Sequence, residues 1–341
     1  MQAQIDPEFR AALKASRAFA REWPRRTWLE VAPTLVLAVL MQALLLSPLP
    51  LLAKLPLSAL FGLILVRVFV LFHDMLHGAI FRRSRLGRGL LKLFSLYLVY
   101  PPAIWKARHN DHHRHNSRTN SRGEVFGQVP MATLRGWQRM GARQRIAYRC
   151  ARHPLTLLCG YFAYFLLPVI DAVRRGPLRR GSGLIWVAFP FVAVALIAWR
   201  LGPATALVAF VLPALFAGAV GAYLFYAQHC FEGVKLRERE HWSYYHAALH
   251  TSSMFEMQAW MHWFTGNIGY HHVHHINPQI PFYRFEEAML AVPALQNPPR
   301  TSWRWRDMRY NLTHHIWDDE RQQLLTYSEA KARLKGDAGY R

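Results

Sequence analysis

Acidic residues are scarce: 20 Asp and Glu stand against 42 Lys and Arg in 341 residues, a formal net charge of +22. Cysteine is scarcer still. Cys150, Cys159 and Cys230 form no C-x-x-C pair and no even-numbered framework. That excludes a thiolate zinc site and a disulfide scaffold, and it fits a reducing compartment. The first 27 residues are polar and basic, without an apolar core followed by a small-residue cleavage site, so no signal peptide is expected. Low-complexity tracts and internal repeats are also missing.

What the chain has instead is apolar length. Hydrophobic residues make up 52% of it, and a soluble domain rarely combines that share with so basic a balance. The two features separate along the chain. Four stretches, about 31–51, 56–77, 184–199 and 204–226, reach the length of roughly 20 residues that a spanning helix needs. They read as two hairpins, the first closed by a connection containing Lys54 and the second by Arg200, Gly202 and Pro203. Basic residues collect elsewhere: Arg10, Lys14, Arg17, Arg21, Arg25 and Arg26 before the first stretch, and Arg82, Arg83, Arg85, Arg88, Arg174, Arg175, Arg179 and Arg180 between the hairpins. By the positive-inside rule, segments 1–30, 78–183 and 227–341 are cytoplasmic. Two shorter apolar runs, 90–101 and 155–170, read as interfacial helices, because a single crossing by the second would put its basic flanks on opposite sides. The expectation is one all-α integral-membrane domain over 1–341, with four transmembrane helices in two hairpins, interfacial helices and a cytoplasmic histidine-rich cap. Arg67, midway through the second stretch, reads either as a functional charge or as one paired inside the bundle.

Eleven of the 18 histidines gather in three clusters and one isolated position. His73 and His77 stand at i and i+4, so both imidazoles leave one helix face. His109, His112, His113 and His115 form the second cluster, and His271, His272, His274 and His275 the third. His229 stands alone at the foot of the fourth stretch. Burying about nine imidazoles without adequate partners, at roughly 1–3 kcal/mol each, costs on the order of 10–20 kcal/mol, which rivals the 5–15 kcal/mol stability of a typical domain. Metal ligation offsets such a cost. A catalytic zinc needs about three protein ligands, and nine suffice for two ions. The Glu-x-x-His pairs of soluble di-iron bundles do not occur in the apolar stretches. A nitrogen-rich pair of irons is the natural inference, while zinc and manganese remain open on ligand count alone. Asp74 and Asp111, each beside a histidine of a cluster, read either as acceptors for an imidazole N–H or as solvent-facing groups.

At these residues the chain resembles the membrane fatty-acid desaturase family, in particular its acyl-lipid branch, whose pattern is H-x(3,4)-H, H-x(2,3)-H-H and H-x(2,3)-H-H. The matches are His73 and His77; His109, His112 and His113; and His271, His274 and His275. His229, in Gln228-His229-Cys230-Phe231-Glu232, looks like the additional ligand that the family carries after its fourth span. The stretch 242–283 is similar to the same branch, and the resemblance covers roughly residues 60–290. It implies metal ligation by His73, His77, His109, His112, His113, His229, His271, His274 and His275, with two Fe ions as cofactor and O2 as co-substrate. It also implies a cis double bond introduced into a fatty acyl chain. No H-P-G-G motif of a fused cytochrome b5 is present, so a separate electron donor is expected: a ferredoxin, a rubredoxin or a flavoprotein. Topology and anionic membrane lipid account for the basic charge, and no nucleic-acid partner is expected. A bacterial inner membrane, with the site on its cytoplasmic face, is the expected location.

One departure stands out. The first box reads His-Asp-Met-Leu-His, where the branch typically has Cys-Gly at the two central positions, so Met75 and Leu76 are expected to reshape the substrate pocket. That keeps a hydroxylase or an alkene-forming decarboxylase as the alternative. A non-catalytic metal-binding or transport protein is a remote one, since it would carry ionisable residues along several spans. His115 and His272 fall outside the family pattern. His153, His241, His246, His250, His262, His314 and His315 are assigned structural roles.

Overall fold

The computed structural model describes residues 7–127, 130–175 and 182–338; Arg179 and Arg180 of the predicted basic run lie outside the described residues. Six helices organise the molecule: α1 (Pro24–Leu46), α2 (Leu51–His77), α3 (Pro102–His115), α4 (Ser182–Leu201), α5 (Pro203–Ala227) and α6 (His271–Ile276). Of these, α1, α2, α4 and α5 are long and apolar enough to cross a membrane. Leu29, Val36, Val39 and Leu40 on α1, and Leu184, Phe191, Leu196 and Trp199 on α4, are exposed. In water each such side chain would forgo about 1.5–3 kcal/mol of burial, and contiguous patches of this kind are rare on soluble monomers. The arrangement fits a membrane protein.

Three predicted boundaries move, the first being the end of α1, which stops at Leu46 rather than at 51. Helix α1 begins at Pro24, seven residues before the apolar stretch, because Pro at the first helical position starts a helix whatever the polarity of the Arg25 and Arg26 that follow. Helix α2 begins at Leu51, directly after Pro50, so Lys54 lies inside the helix and is buried rather than sitting in the connection. With Pro48, Pro50 and Pro56 in one short stretch, a proline start signal is ambiguous by a turn or more.

Helix α2 packs closely on α5, where Gly62 leaves room for Phe216: a Cβ there would come within 2.7 Å of the ring. Arg67 is paired inside the bundle. Its guanidinium reaches Glu30 Oε2 at 2.7 Å, donates to Thr34 Oγ1 at 2.9 Å and to the Trp263 carbonyl, and stacks 4.2 Å from the Trp263 ring. The charge thereby ties α1 and α2 to the segment leading into the third histidine box.

The run at 90–101 falls in an amphipathic helix, Arg85–Phe94, and the turns after it. The run at 155–170 forms Pro154–Leu158, a π-helical stretch Tyr161–Leu166 and the start of Leu167–Arg175. It lies against α5, and Gly160 permits the approach: a Cβ there would sit 2.3 Å from the Gly218 carbonyl oxygen. The fold is mostly helical, but it also carries three small sheets that the all-α expectation lacks. Ala132–Thr133 pairs in parallel with Ile316–Asp318, and Met254–Glu256 with Arg300–Ser302. Arg118–Thr119 lies between Arg237–Glu238 and Val125–Phe126. Strands of two or three residues are too short to write an alternating pattern, yet those at Arg118 and Ala132 fasten the middle segment to the last third of the chain.

Candidate metal centre

Each histidine box is a helix end or a short helix, and the local sequence explains why. Helix α2 runs through His73 and His77 and stops at Gly78, which takes the left-handed conformation (φ 72°) that glycine adopts without strain. Helix α3 starts at Pro102 and presents His109 and His113 on one face, with Trp105, four residues earlier, stacked 4.2 Å from the His109 ring. His229 follows the last turn of α5. Helix α6 is barely a turn and a half long, yet it orients His271 and His275 one way and His274 another.

The three boxes and His229 meet at one place. His73, His77, His109 and His274 form one group and His112, His229, His271 and His275 a second, with the ligand atoms of each group within 4.8 Å of one another. The ninth predicted residue, His113, sits between them. Its Nε2 is 2.9 Å from that of His109 and 3.0 Å from that of His274, while its ring is 4.4 Å from the ring of His275. Other Nε2 pairs are equally close: His73 to His109 at 3.0 Å, His229 to His271 at 2.9 Å, His271 to His275 at 3.1 Å and His112 to His275 at 3.2 Å.

These separations fit metal ligands. Two imidazole nitrogens each about 2.1 Å from one metal ion, at right angles, lie about 3.0 Å apart. The outer nitrogens fix which atom carries the lone pair. His73 Nδ1 faces Asp74 Oδ1 at 3.2 Å, His229 Nδ1 donates to the Thr251 carbonyl at 2.8 Å, and His112 Nδ1 donates to the Gly127 carbonyl. With Nδ1–H engaged outward, Nε2 of each ring turns an unprotonated lone pair inward. Burial lowers the pKa of His112 to about 4 and moves His109, His113, His229, His271, His274 and His275 in the same direction. Neutral imidazoles with converging lone pairs repel one another unless a cation lies between them. His77 Nε2 is likewise buried without a hydrogen-bond partner among the described residues.

Asp74 is where the sequence places an outer acceptor. It is fully buried, and its second oxygen accepts from Phe282 N at 2.8 Å, which locks the first box to the loop after the third. Asp74→Asn is expected to lower metal affinity about 10- to 100-fold, read as metal retained after dialysis against a chelator, with helix content unchanged. Asp111 takes the solvent-facing alternative: it is exposed and accepts from His115 Nδ1 at 2.8 Å. His272 is buried but faces the Leu295 carbonyl at 3.1 Å, outside both groups. The acceptors at Gly127, Thr251 and Leu295 are backbone carbonyls, for which no sequence signal exists; the stacked Trp105 was readable from its i, i+4 spacing to His109.

His229 has a further support. Arg152, 1% exposed, donates to the Tyr226 hydroxyl at 2.8 Å and approaches Cys230 Sγ at 3.5 Å, residues three before and one after His229. It also donates to His315 Nδ1 at 3.0 Å and to the Pro130 carbonyl at 2.7 Å. The sequence suggests only a general structural role for His315 and reads Arg152 as a basic flank of the 155–170 run, whereas it is buried.

A cavity of about 670 Å³ opens onto both groups, touching His73, His109, His112 and His271. Its polar end has Arg108 and Asp111, and its apolar end lies between α2 and α5. That volume is in the range of about 300–1,000 Å³ usual for small-molecule sites. Met75 and Leu76 do not line it. They pack into the hydrophobic core instead, so the altered first box does not reshape this cavity.

With the geometry in place, comparison with known proteins is direct. A model of the fatty acid desaturase family matches residues 48–307. A fatty acid desaturase of Bacillus subtilis is 29% identical over 278 residues, 78% of this chain and 75% of the relative. A chloroplastic omega-6 fatty acid desaturase of Spinacia oleracea is 23% identical over 268 residues, 76% of this chain and 58% of the relative; its counterpart in Arabidopsis thaliana is 24% identical over 271 residues, 77% and 59%. The chain thus spans under two thirds of the plant relatives. A family match over most of its length, on a chain whose histidines gather into two buried groups, leads to one conclusion: this protein belongs to the fatty acid desaturase family and is a desaturase-type oxidoreductase.

Proposed function

We propose that this protein introduces a cis double bond into a fatty acyl chain in an O2-dependent reaction, with two irons held by His73, His77, His109, His113 and His274 on one side and His112, His229, His271 and His275 on the other. The observation that carries this reading is the convergence of both histidine groups on one largely apolar cavity. Two bound ferrous ions would supply reductive activation of O2, so that a –CH2–CH2– unit, O2, two electrons and two protons give –CH=CH– and two water molecules.

The chain's own residues position and shield. Val66, Phe69 and Phe225 form an apolar wall that holds methylene groups and excludes water near the histidines. Asp74 and the carbonyls of Thr251 and Gly127 hold the ring orientations. The two external electrons require a donor, and a ferredoxin, rubredoxin or flavoprotein is the class that fits. The exposed Lys106, Arg108 and Arg114 beside the second box favour an acidic carrier. In this reading the four apolar helices cross a bacterial inner membrane as two hairpins, with both termini and the histidine-rich cap on the cytoplasmic side.

The test is iron content of the purified protein together with the lipid profile of cells expressing it. Two irons per chain, matching the two groups, and a new cis-unsaturated acyl species are expected. A hydroxylated product or a chain-shortened terminal alkene would replace the desaturase assignment, and absence of iron would overturn the oxidase reading.

A further inference from the structure

The catalytic cavity has a neighbour. A small apolar chamber of about 20 Å³ lies beyond its apolar end, bordered by Leu65, Ala214 and Ala217. Four residues line both spaces: Val66, Phe69, Phe165 and Gly221. Phe69 and Phe165 meet edge to face, ring centroids 5.4 Å apart at 75°. We propose that this aromatic pair is the floor of the acyl site, and that it and the facing Gly221 set how many carbons of the substrate lie beyond the metal centre. The inference rests on the desaturase reading above.

Placement supports it. Phe69 precedes His73 by four residues on the same face of α2, so it lies about 6 Å of helix rise below the histidines. The charged residues of the cavity, Arg108 and Asp111, are exposed on α3 beside the histidines. An acyl chain with its polar head toward water therefore runs past the histidines with its methyl end toward Phe69 and Phe165. Burying the head at the apolar floor would cost several kcal/mol without a compensating hydrogen bond.

Gly221 supplies an independent observation. A Cβ built there meets only Phe165 Cζ, at 3.8 Å, an ordinary contact. Gly218, one turn earlier, is different: a Cβ there would lie 2.4 Å from Tyr161 N. Helix packing requires glycine at 218 and does not require it at 221, where the missing side chain leaves room next to the floor. Opening the floor lets more of the chain pass the histidines, and filling the space in front of Gly221 lets less pass.

The experiment uses full-length wild type, Phe165→Ala and Gly221→Leu in expressing cells, with double-bond position located by mass spectrometry. The quantity read is the number of carbons between the new double bond and the methyl terminus. It is expected to rise in Phe165→Ala, through a shifted bond or a longer accepted chain, and to fall in Gly221→Leu. Binding of straight-chain fatty acids of increasing length to the purified proteins is read in parallel. The preferred length should move the same way, with about a tenfold change in relative affinity between neighbouring chain lengths. Unchanged carbon counts and unchanged length preference in variants that retain iron would overturn the proposal. Should Phe165→Ala fail to fold, Gly221→Leu decides alone. A wild type that binds fatty acids but forms no double bond would defeat the desaturase reading, and the binding series would still test the floor.

Discussion

Replacing His274 by alanine is expected to strip the protein of bound iron and abolish its unsaturated product. His274 contributes to the group that also holds His73, His77 and His109, and its Nε2 lies 3.0 Å from that of His113. Loss of an outer partner of a metal ligand already costs roughly 10- to 100-fold in affinity, so loss of the ligand itself should exceed about 100-fold. The fold should survive, because the substitution removes one of several facing lone pairs and creates no unpaired charge. Metal analysis and lipid profiling check the loss. Thermal melting gives a second readout: bound metal stabilises the native state by mass action, so iron-loaded wild type should melt above its iron-free form, and His274→Ala should match the iron-free one. Full iron and full product in the variant would remove His274 from the centre. His272→Ala is the contrasting substitution. It faces the Leu295 carbonyl and belongs to neither group, so iron should stay bound while stability falls by about 1–3 kcal/mol.

The second large effect is on stability, at Arg152. Guanidinium stays charged in proteins, and this one is buried against neutral acceptors: the Tyr226 hydroxyl, His315 Nδ1 and the carbonyls of Pro130 and His314. Arg152→Met fills much of the volume but leaves those acceptors without donors. Each buried unsatisfied group costs about 1–3 kcal/mol, so several acceptors left without a donor cost on the order of 3–5 kcal/mol together. At about 2–4 °C per kcal/mol for larger domains, the melting temperature should drop by about 10 °C. Because Tyr226 lies one turn before His229 and Cys230 follows it directly, iron retention should weaken as well. An unchanged melting temperature would show that the network contributes little and that Arg152 is a spectator.

How much of this was legible beforehand differs residue by residue. The i, i+4 pair His73–His77 follows from helix geometry, and the structure brings all nine predicted histidines to one place. The four apolar helices were readable because a span of about 20 apolar residues is a property of consecutive residues. Their starts were less so, since several prolines compete to begin a helix near Leu51. Asp74 and Asp111 look alike in sequence, each beside a histidine, yet one is locked to Phe282 and the other pairs with His115 at the surface. Met75 and Leu76 looked like pocket residues because they sit inside a box, but the helix turns them into the core.

The division has a physical cause. Sequence by itself determined what depends on local spacing and composition: the apolar lengths, the basic flanks, the count of imidazoles and the pair of them that shares a helix face. Tertiary structure alone decided what depends on groups far apart in the chain. It divided eight histidines into two groups with His113 between them, chose backbone carbonyls at Gly127 and Thr251 as outer acceptors, paired Arg67 with Glu30, and set Phe69 of one helix against Phe165 of another. A backbone carbonyl is the same at every position and a partition between two cavities belongs to no single segment, so neither leaves a mark until the helices pack.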